Sequence, residues 1–315
     1  MKSYLDILNR IIEEGRWKEN RTGVRCLTVP NVHFSHDMSN GFPLLTTRKM
    51  PFRSMCVELE GFIKGITSKK WYQDRKCHFW DFWANPHKIA QKLLDTNYST
   101  ELANIISSPI SNNTQLANKT YKKLQEEEND LGPLGYGWQW RRFGEVYDEN
   151  DDAPLKGYDQ LKYIVETLKT NPNDRRLVCS AWNPNQLSRM ALPACHLIWI
   201  VTHINGVLNL HWTQRSCDYI LGVPNNIASY ALLFLLLCKE TGMKPGNLSG
   251  MLCDCHIYEN HLDGAKEQLQ RQPRQLPTLK ILERDGKFDI FNWEYTDVLL
   301  ENYNPHPKMK FDIAV

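Results

Sequence analysis

One dipeptide constrains this chain more than any other feature. Asn205-Gly206 sits between HLIWIVTHI and VLNLHWTQ, two runs rich in Val, Ile, Leu and Trp. An Asn-Gly pair between such runs is the strongest short-range hairpin signal, because a two-residue type I′ turn needs φ > 0 at both central positions. With that pair as the turn, Ile204 faces Val207. Counting outward, His196 faces Arg215 and Cys195 faces Ser216. Facing residues lie about 4.5–5.5 Å apart at Cβ. A local rule therefore gathers a thiol, an imidazole, a guanidinium and a hydroxyl at one end of a hairpin. A cationic neighbour lowers a thiol's pKa and raises the fraction of reactive thiolate. Cys195 is thus a candidate nucleophile. A lone strand Cys is more often a small buried hydrophobe, but the polar cluster around this one argues for chemistry.

The rest of the composition narrows the class. At 315 residues the chain can bury a substantial core as one large domain or two. A net charge of +2 points to no nucleic-acid or membrane surface, so any positive site must be local. The longest apolar run, Ile227 to Cys238, falls short of the roughly 20 residues of a bilayer span. The opening MKSYLDILNRIIEEGRWKEN has no signal-peptide core. Nine cysteines are scattered without a repeated spacing, which leads us to expect reduced thiols in a cytoplasmic enzyme. Cys253-Asp254-Cys255-His256 lacks a second Cys/His pair at finger spacing, so no metal site is expected.

In chain order, residues 3–14 carry apolar positions at helical spacing, with Ser3 as a plausible cap and Gly15 as a stop. Arg21-Thr22-Gly23 is a polar loop before a strand-like stretch; an Arg there matters only if it reaches an anion. Residues 53–64 read as a helix carrying Glu58 and Glu60, which at i and i+2 point in different directions. A buried carboxylate there needs a partner or a task. The aromatic-dense stretch 71–83 is either a packed corner or a flat wall for a ring-shaped ligand. Residues 84–129 turn polar and read as a peripheral insertion, with some helix near 114–127. Residues 158–169 form an amphipathic helix. Arg175-Arg176 then opens the strand LVCSAW; such a pair is commonly solvated, but it also suits a phosphate fork. Asn225 and Asn226 stand at the start of a strongly apolar and therefore buried helix, 227–240. Cys253 to His261 and a strand around Leu279–Leu282 complete the expected core.

These residues carry a resemblance. RTG (21–23), GFPLLTTRK (41–49), VELEGF (57–62), WDFWA (80–84), DLGP (130–133), YGWQWRRFG (136–144), NDRRLVCSAWNP (173–184), ALPACH (191–196), QRSCDYILGVPNNIASY (214–230), DCHIYENH (254–261) and YNPHP (303–307) resemble the motifs of the thymidylate synthase family and its pyrimidine-nucleotide hydroxymethylase relatives. The match covers nearly the whole chain except 84–129. It implies an α+β fold on a large mixed β-sheet with packed helices, one catalytic domain over 1–315, and homodimers paired sheet to sheet.

The resemblance also implies a chemistry. Cys195 would attack C6 of dUMP, making C5 a nucleophile toward 5,10-methylenetetrahydrofolate. Arg21, Arg215 and Ser216 would hold the nucleotide phosphate, with Arg175 and Arg176 from the other subunit and Gln214 alongside. Asn226 would read the base edge, and His256 and Tyr258 the ribose hydroxyl. Glu58 and His196 would organise water near O4, and Tyr136 would help remove the C5 proton. Trp80, Trp83, Leu192, Asp218, Gly222, Asn225 and Val315 would line or close the folate site, Asp218 also serving the catalytic machinery. No metal is implied.

The departures bear on the product. The family usually places Phe at the position of Asn225, an apolar residue at Glu60, Trp at Gly61 and Pro at Ala194. Polar groups at Asn225 and Glu60 favour water adding to the C5 methylene, whereas Trp80, Leu192 and the Ile313-Ala314-Val315 tail favour its exclusion. The expectation from the pocket is 5-hydroxymethyl-dUMP, with dTMP and dihydrofolate as the alternative. A non-enzymatic binding protein would need no Cys195 beside Arg215.

Overall fold

The computed structural model describes residues 1–20, 22–81, 83, 135–145, 157–190 and 192–313. The insertion expected at 84–129, with its helix near 114–127, lies outside the described residues, as do Arg21 and Val315. The chain divides into two compact units. One comprises Met1–Leu59, Leu161–Ser180 and Cys195–Val315; the other comprises Glu60–Gln160 and Ala181–Ala194.

The first unit is built on a seven-stranded sheet ordered β1-β2-β7-β5-β4-β3, with β6 beside β7. The strands are β1 (Arg16–Lys18), β2 (Cys26–Asp37), β3 (Val178–Ser180), β4 (His196–Ile204), β5 (Val207–Gln214), β6 (Cys217–Asp218) and β7 (Lys244–Tyr258). β5 and β6 run parallel to β7, and the other neighbours are antiparallel. The fold is therefore α+β on a large mixed sheet. Among the described residues, β8 (Thr278–Ile281) pairs only with β9 (Val298–Glu301), as a separate ribbon. The strand expected around Leu279 thus does not join the main sheet.

The helices among the described residues are α1 (Lys2–Glu14), α2 (Phe52–Lys64), α3 (Lys69–Asp74), α4 (Tyr136–Arg141), α5 (Gln160–Thr170), α6 (Gly222–Thr241) and α7 (Leu262–Gln270). α1 buries Tyr4, Ile7, Leu8 and Ile11, the i, i+3, i+4, i+7 stripe of an amphipathic helix. Met1 rather than Ser3 is its N-cap. It stops at Gly15, where the backbone turns extended (φ −62°, ψ 149°), and glycine suits the position because a Cβ would stand 2.3 Å from the Ile11 carbonyl oxygen and 2.6 Å from Leu27. α6 starts five residues before the apolar run. Pro224 is tolerated in the first turn, where its missing N–H has no helical partner to lose, so Asn225 and Asn226 are helical residues. α6 is long and apolar enough to cross a membrane, but its Ile227, Leu233, Phe234 and Leu237 are buried within this unit.

The expected hairpin forms, with Asn205 at φ 49° and Gly206 at φ 81°. Its register follows the turn from Ile204↔Val207 to Ile198↔Thr213, and then shifts between His196 and Ile198. His196 faces Gln214, and the Arg215 N–H donates to the Cys195 carbonyl at 2.9 Å. The pairs expected from counting, Cys195 with Ser216 and His196 with Arg215, are therefore off by one. Leu197 is the extra residue of a β-bulge, a device that bends a strand and re-aims its side chains.

In the second unit Phe62 packs against Tyr136, Trp140 and Trp80 at ring-centroid separations of 5.0, 5.7 and 6.2 Å. This is a packed aromatic corner. Gly61 leaves room for Tyr72, since a Cβ at 61 would lie 2.2 Å from the Tyr72 hydroxyl.

Gly206 holds a left-handed conformation that costs an L-residue about 1–2 kcal/mol. Gly206→Val is expected to lower the urea midpoint by that stability with an unchanged denaturant slope; an unmoved midpoint would show that the turn does not depend on this glycine.

Candidate active site

The site begins where the hairpin ends. The Trp212 indole N–H donates to Gln214 Oε1 at 3.3 Å, and Gln214 Nε2 donates to Asn226 Oδ1 at 3.0 Å. Asn226 Nδ2 then lies 2.9 Å from His196 Nε2. Because the Asn226 oxygen already accepts from Gln214, its NH₂ faces the imidazole, and His196 Nε2 is the acceptor. The imidazole is then neutral, with its proton on Nδ1. Burial pushes its pKa down to about 3, in agreement with that assignment. Tyr230 closes the ring's edge at 5.5 Å and stacks on Trp212 at 5.2 Å.

Cys195 is half-buried one residue before β4, and Arg215 and Ser216 are half-buried just beyond β5. Gln214 is 2% exposed and also donates to the Ser216 carbonyl at 3.0 Å, which fixes the turn into β6. β6 then lays Asp218 beside His256 in the parallel ladder with β7. Asp218 Oδ1 accepts the Ile220 and Leu221 N–H groups, both at 3.0 Å, just ahead of α6. Gly222 follows, where a Cβ would sit in ordinary contact with Asp218 and Asn226. His256 is buried with its ring 5.1 Å from Tyr258. His256 Nδ1 lies 3.0 Å from the Asp254 backbone carbonyl and 3.3 Å from its Oδ1. Hydrogen bonding to His256, and then to Lys18, holds the Asp254 carboxyl at about 2.

The first unit therefore brings together Cys195, His196, Gln214, Arg215, Ser216, Asp218, Gly222, Asn225, Asn226, His256 and Tyr258 on adjoining strand ends and one helix start. Glu58 is half-buried on α2 in the same unit. Tyr136 and Trp80 are buried, and Trp83 and Leu192 half-buried, in the second unit. Arg175 and Arg176 are exposed before β3, and Arg176 is tied to Asp174, whose carboxyl it holds at about 2. Trp212 and Asp254 were missed as positioning residues. Strand alternation could have found both, since each lies two residues from a candidate, Gln214 and His256.

Glu60 and Asn225 are engaged in ways the sequence did not suggest. Glu60 is 1% exposed, with its Oε1 2.7 Å from Lys64 Nζ one turn on. Asn225 Nδ2 donates to the Leu221 carbonyl at 2.6 Å, while its Oδ1 is buried without a partner among the described residues. No three His, Cys, Asp or Glu side chains among the described residues gather as a metal site requires.

A half-buried strand-end thiol, next in sequence to a neutral imidazole held by a relay of amides, suits the chemistry of an enzyme that works by nucleophilic addition. Residues 2–315 match the family model described as thymidylate synthase. The chain is 40% identical to human thymidylate synthase over 314 residues, which is 99% of this chain and 90% of that protein. It is also 40% identical over 320 residues to a bifunctional dihydrofolate reductase-thymidylate synthase of Leishmania major, and 38% identical over 313 residues to that of Paramecium tetraurelia. It spans 55% and 61% of those two proteins. The chain belongs to the thymidylate synthase family, whose enzymes use methylenetetrahydrofolate as co-substrate.

His196 sets a pH dependence. Its folded pKa of about 3 lies below the unfolded value of about 6.5. As pH falls below about 6.5 the unfolded chain binds a proton that the folded chain refuses, so stability is lost at up to about 1.4 kcal/mol per pH unit until the folded group also titrates. Chemical denaturation from pH 7 to 4 should show this slope, and His196→Gln should reduce it by one proton. An equal slope in the two proteins would refute the assignment.

Proposed function

We propose that this chain is a thymidylate synthase, converting dUMP and 5,10-methylenetetrahydrofolate into dTMP and dihydrofolate. The observation that carries the reading is the junction of Cys195 with the His196–Asn226–Gln214 relay. The names of relatives matched along nearly the whole chain support it.

The relay explains how the base is read. Asn226 has spent one N–H on His196 and one lone pair on Gln214. It retains a second N–H for the uracil O4 and a second lone pair for the N3–H. Cytosine reverses both groups and would meet a mismatch. The Cys195 thiolate forms a bond to C6, and the C5=C6 electron pair moves onto C5. Polarisation at O4 stabilises that charge. C5 bonds to the one-carbon unit of the folate. Loss of the C5 proton, assigned to Tyr136 by family likeness, then breaks the bond from that carbon to the folate nitrogen and leaves an exocyclic methylene. Hydride addition to this methylene restores the C5=C6 bond and expels the thiolate. The folate supplies both the one-carbon unit and the hydride. The buried Asn225 Oδ1, which has no hydrogen-bond partner among the described residues, fits an N–H donor of the folate ring system.

The hydroxymethyl expectation loses its two supports. Glu60 is hydrogen-bonded to Lys64, so its carboxylate already has a partner within its own helix. The Asn225 NH₂ is anchored on Leu221. Product analysis is the direct test: dUMP turnover should yield one dihydrofolate per dTMP, and tetrahydrofolate with 5-hydroxymethyl-dUMP would overturn this reading.

The proposal includes a homodimer in which Arg175 and Arg176 reach the partner's phosphate site, in line with their exposure here. Mixing inactive Cys195→Ser with inactive Arg175→Ala subunits should recover up to about a quarter of wild-type activity, because one site of each two-fold heterodimer would be intact. No recovery despite proven subunit exchange would count against shared sites.

A further inference from the structure

His256 stands near the end of β7 with a carboxylate on either side. Asp218 lies next to it in the parallel ladder, and Asp254 precedes it by two residues on the same face of the strand. Asp218 Oδ1 is spent on the Ile220 and Leu221 N–H groups. Asp254 is placed differently. Its backbone carbonyl lies 3.0 Å from His256 Nδ1, and its Oδ1 lies 3.3 Å from the same nitrogen. That oxygen is buried, with no nearer partner among the described residues. Its Oδ2 accepts from Lys18 Nζ, at the end of β1.

A carbonyl oxygen can only accept, so His256 Nδ1 carries a proton. The carboxylate oxygen is the longer of the two acceptors facing that proton, and it acts on the ring through its charge. Nε2 of the neutral ring is then a lone pair, and negative charge behind Nδ1 makes that lone pair a stronger acceptor. The contacts to His256 first, and to Lys18 after it, hold the Asp254 carboxyl at about 2, so it stays ionised around neutral pH. Tyr258 meets the imidazole edge-on at 5.1 Å and 82°, which fixes the ring plane.

We propose that Asp254, held by Lys18, is a positioning residue that makes the sugar subsite selective for a hydroxyl donor at C3′. The inference rests on the nucleotide reading above, in which His256 and Tyr258 face the ribose. dUMP keeps a single free hydroxyl on its sugar, at C3′, since C2′ carries only hydrogen and C5′ the phosphate. A hydroxyl both donates and accepts. It gives its proton to His256 Nε2 and takes one from the Tyr258 phenol. A fluorine in its place has no proton to give. It sets lone pair against lone pair, and the Asp254 charge adds to the repulsion.

The plainer account is a surface ion pair that steadies two strand ends. The Lys18 side chain is 52% exposed, and exposed pairs contribute little. That account leaves the buried Oδ1 beside the imidazole without a task. It also makes no distinction between sugars.

Initial rates of the full chain with dUMP and with its 3′-deoxy-3′-fluoro analogue test the proposal. The quantity read is the ratio of the two KM values, because a general loss of structure moves both alike. The unmutated protein should favour dUMP by at least about 10-fold. Asp254→Ala should raise KM for dUMP by about 10-fold with kcat within about 3-fold, and leave KM for the analogue within about 2-fold. Asp254→Asn keeps an oxygen acceptor without the charge and should recover part of the selectivity. Lys18 is exposed, so Lys18→Met remains informative if Asp254→Ala folds poorly; it should lower the ratio by at least about 2-fold. A KM that rises equally for both substrates, or a ratio that none of the variants moves, overturns the inference and leaves the ribose assignment of His256 standing. A ratio near 1 in the unmutated protein overturns that assignment too, whereas dTMP formed from dUMP would still uphold the reaction.

Discussion

The parallel ladder along β7 is the constraint on which the site depends. It ties Gln214 to Leu252, Cys217 to Cys255 and Asp218 to His256 in one register. The nucleophile end of the hairpin and the His256–Tyr258 end of β7 thereby belong to one hydrogen-bonded frame. The bulge at Leu197 then turns Cys195 and His196 relative to that frame. Without it, Gln214 would not stand opposite His196 with Asn226 between them. A hairpin alone offers a rough neighbourhood; the ladder and the bulge convert it into hydrogen bonds of 2.9–3.0 Å.

Neutrality is the second theme of the site. His196 is held uncharged by burial and by the amide that donates to it. The ionised groups, Arg215 in the site and the Asp254–Lys18 pair behind His256, stand on the strand ends around it. That division suits a reaction whose developing charge is an enolate on the base, for which oriented dipoles in a partly desolvated pocket are effective. Under the proposed function, the arginines would meet a phosphate charge already present in the substrate.

Much of this was legible in the sequence, for local reasons. Asn205-Gly206 dictates its own turn, and the turn dictates the register as far as Ile198. The bulge was not legible, because Leu197 looks like any other strand residue and the extra position arises only when β4 meets β5. Only Cys253 to His261 was expected as core here, whereas β7 begins at Lys244; Pro245, Gly246 and Gly250 are residues that usually interrupt a strand. Gly250 is there because a Cβ would lie 2.6 Å from the Trp212 ring, so the glycine belongs to the packing of Trp212. The start of α6 was misplaced because apolar periodicity begins at Ile227, whereas Asp218 and Pro224 open the helix with polar and ring chemistry that the pattern does not register.

The product question turns on the same distinction between residue identity and hydrogen-bond destination. Read as letters, Asn225 and Glu60 are polar groups where the family usually keeps apolar ones, and water addition follows naturally. In place, each is committed: Glu60 neutralises Lys64 within its own helix, and Asn225 spends its NH₂ on a backbone carbonyl. A polar side chain whose donors or charge are already satisfied does not make a pocket wet. What remains on Asn225 is one acceptor, Oδ1, buried without a partner among the described residues. A single buried acceptor is better matched by an N–H of a bound ring than by a mobile water, which needs two to four partners to be held. The substitution that first suggested water addition is, by its hydrogen bonds, compatible with excluding it.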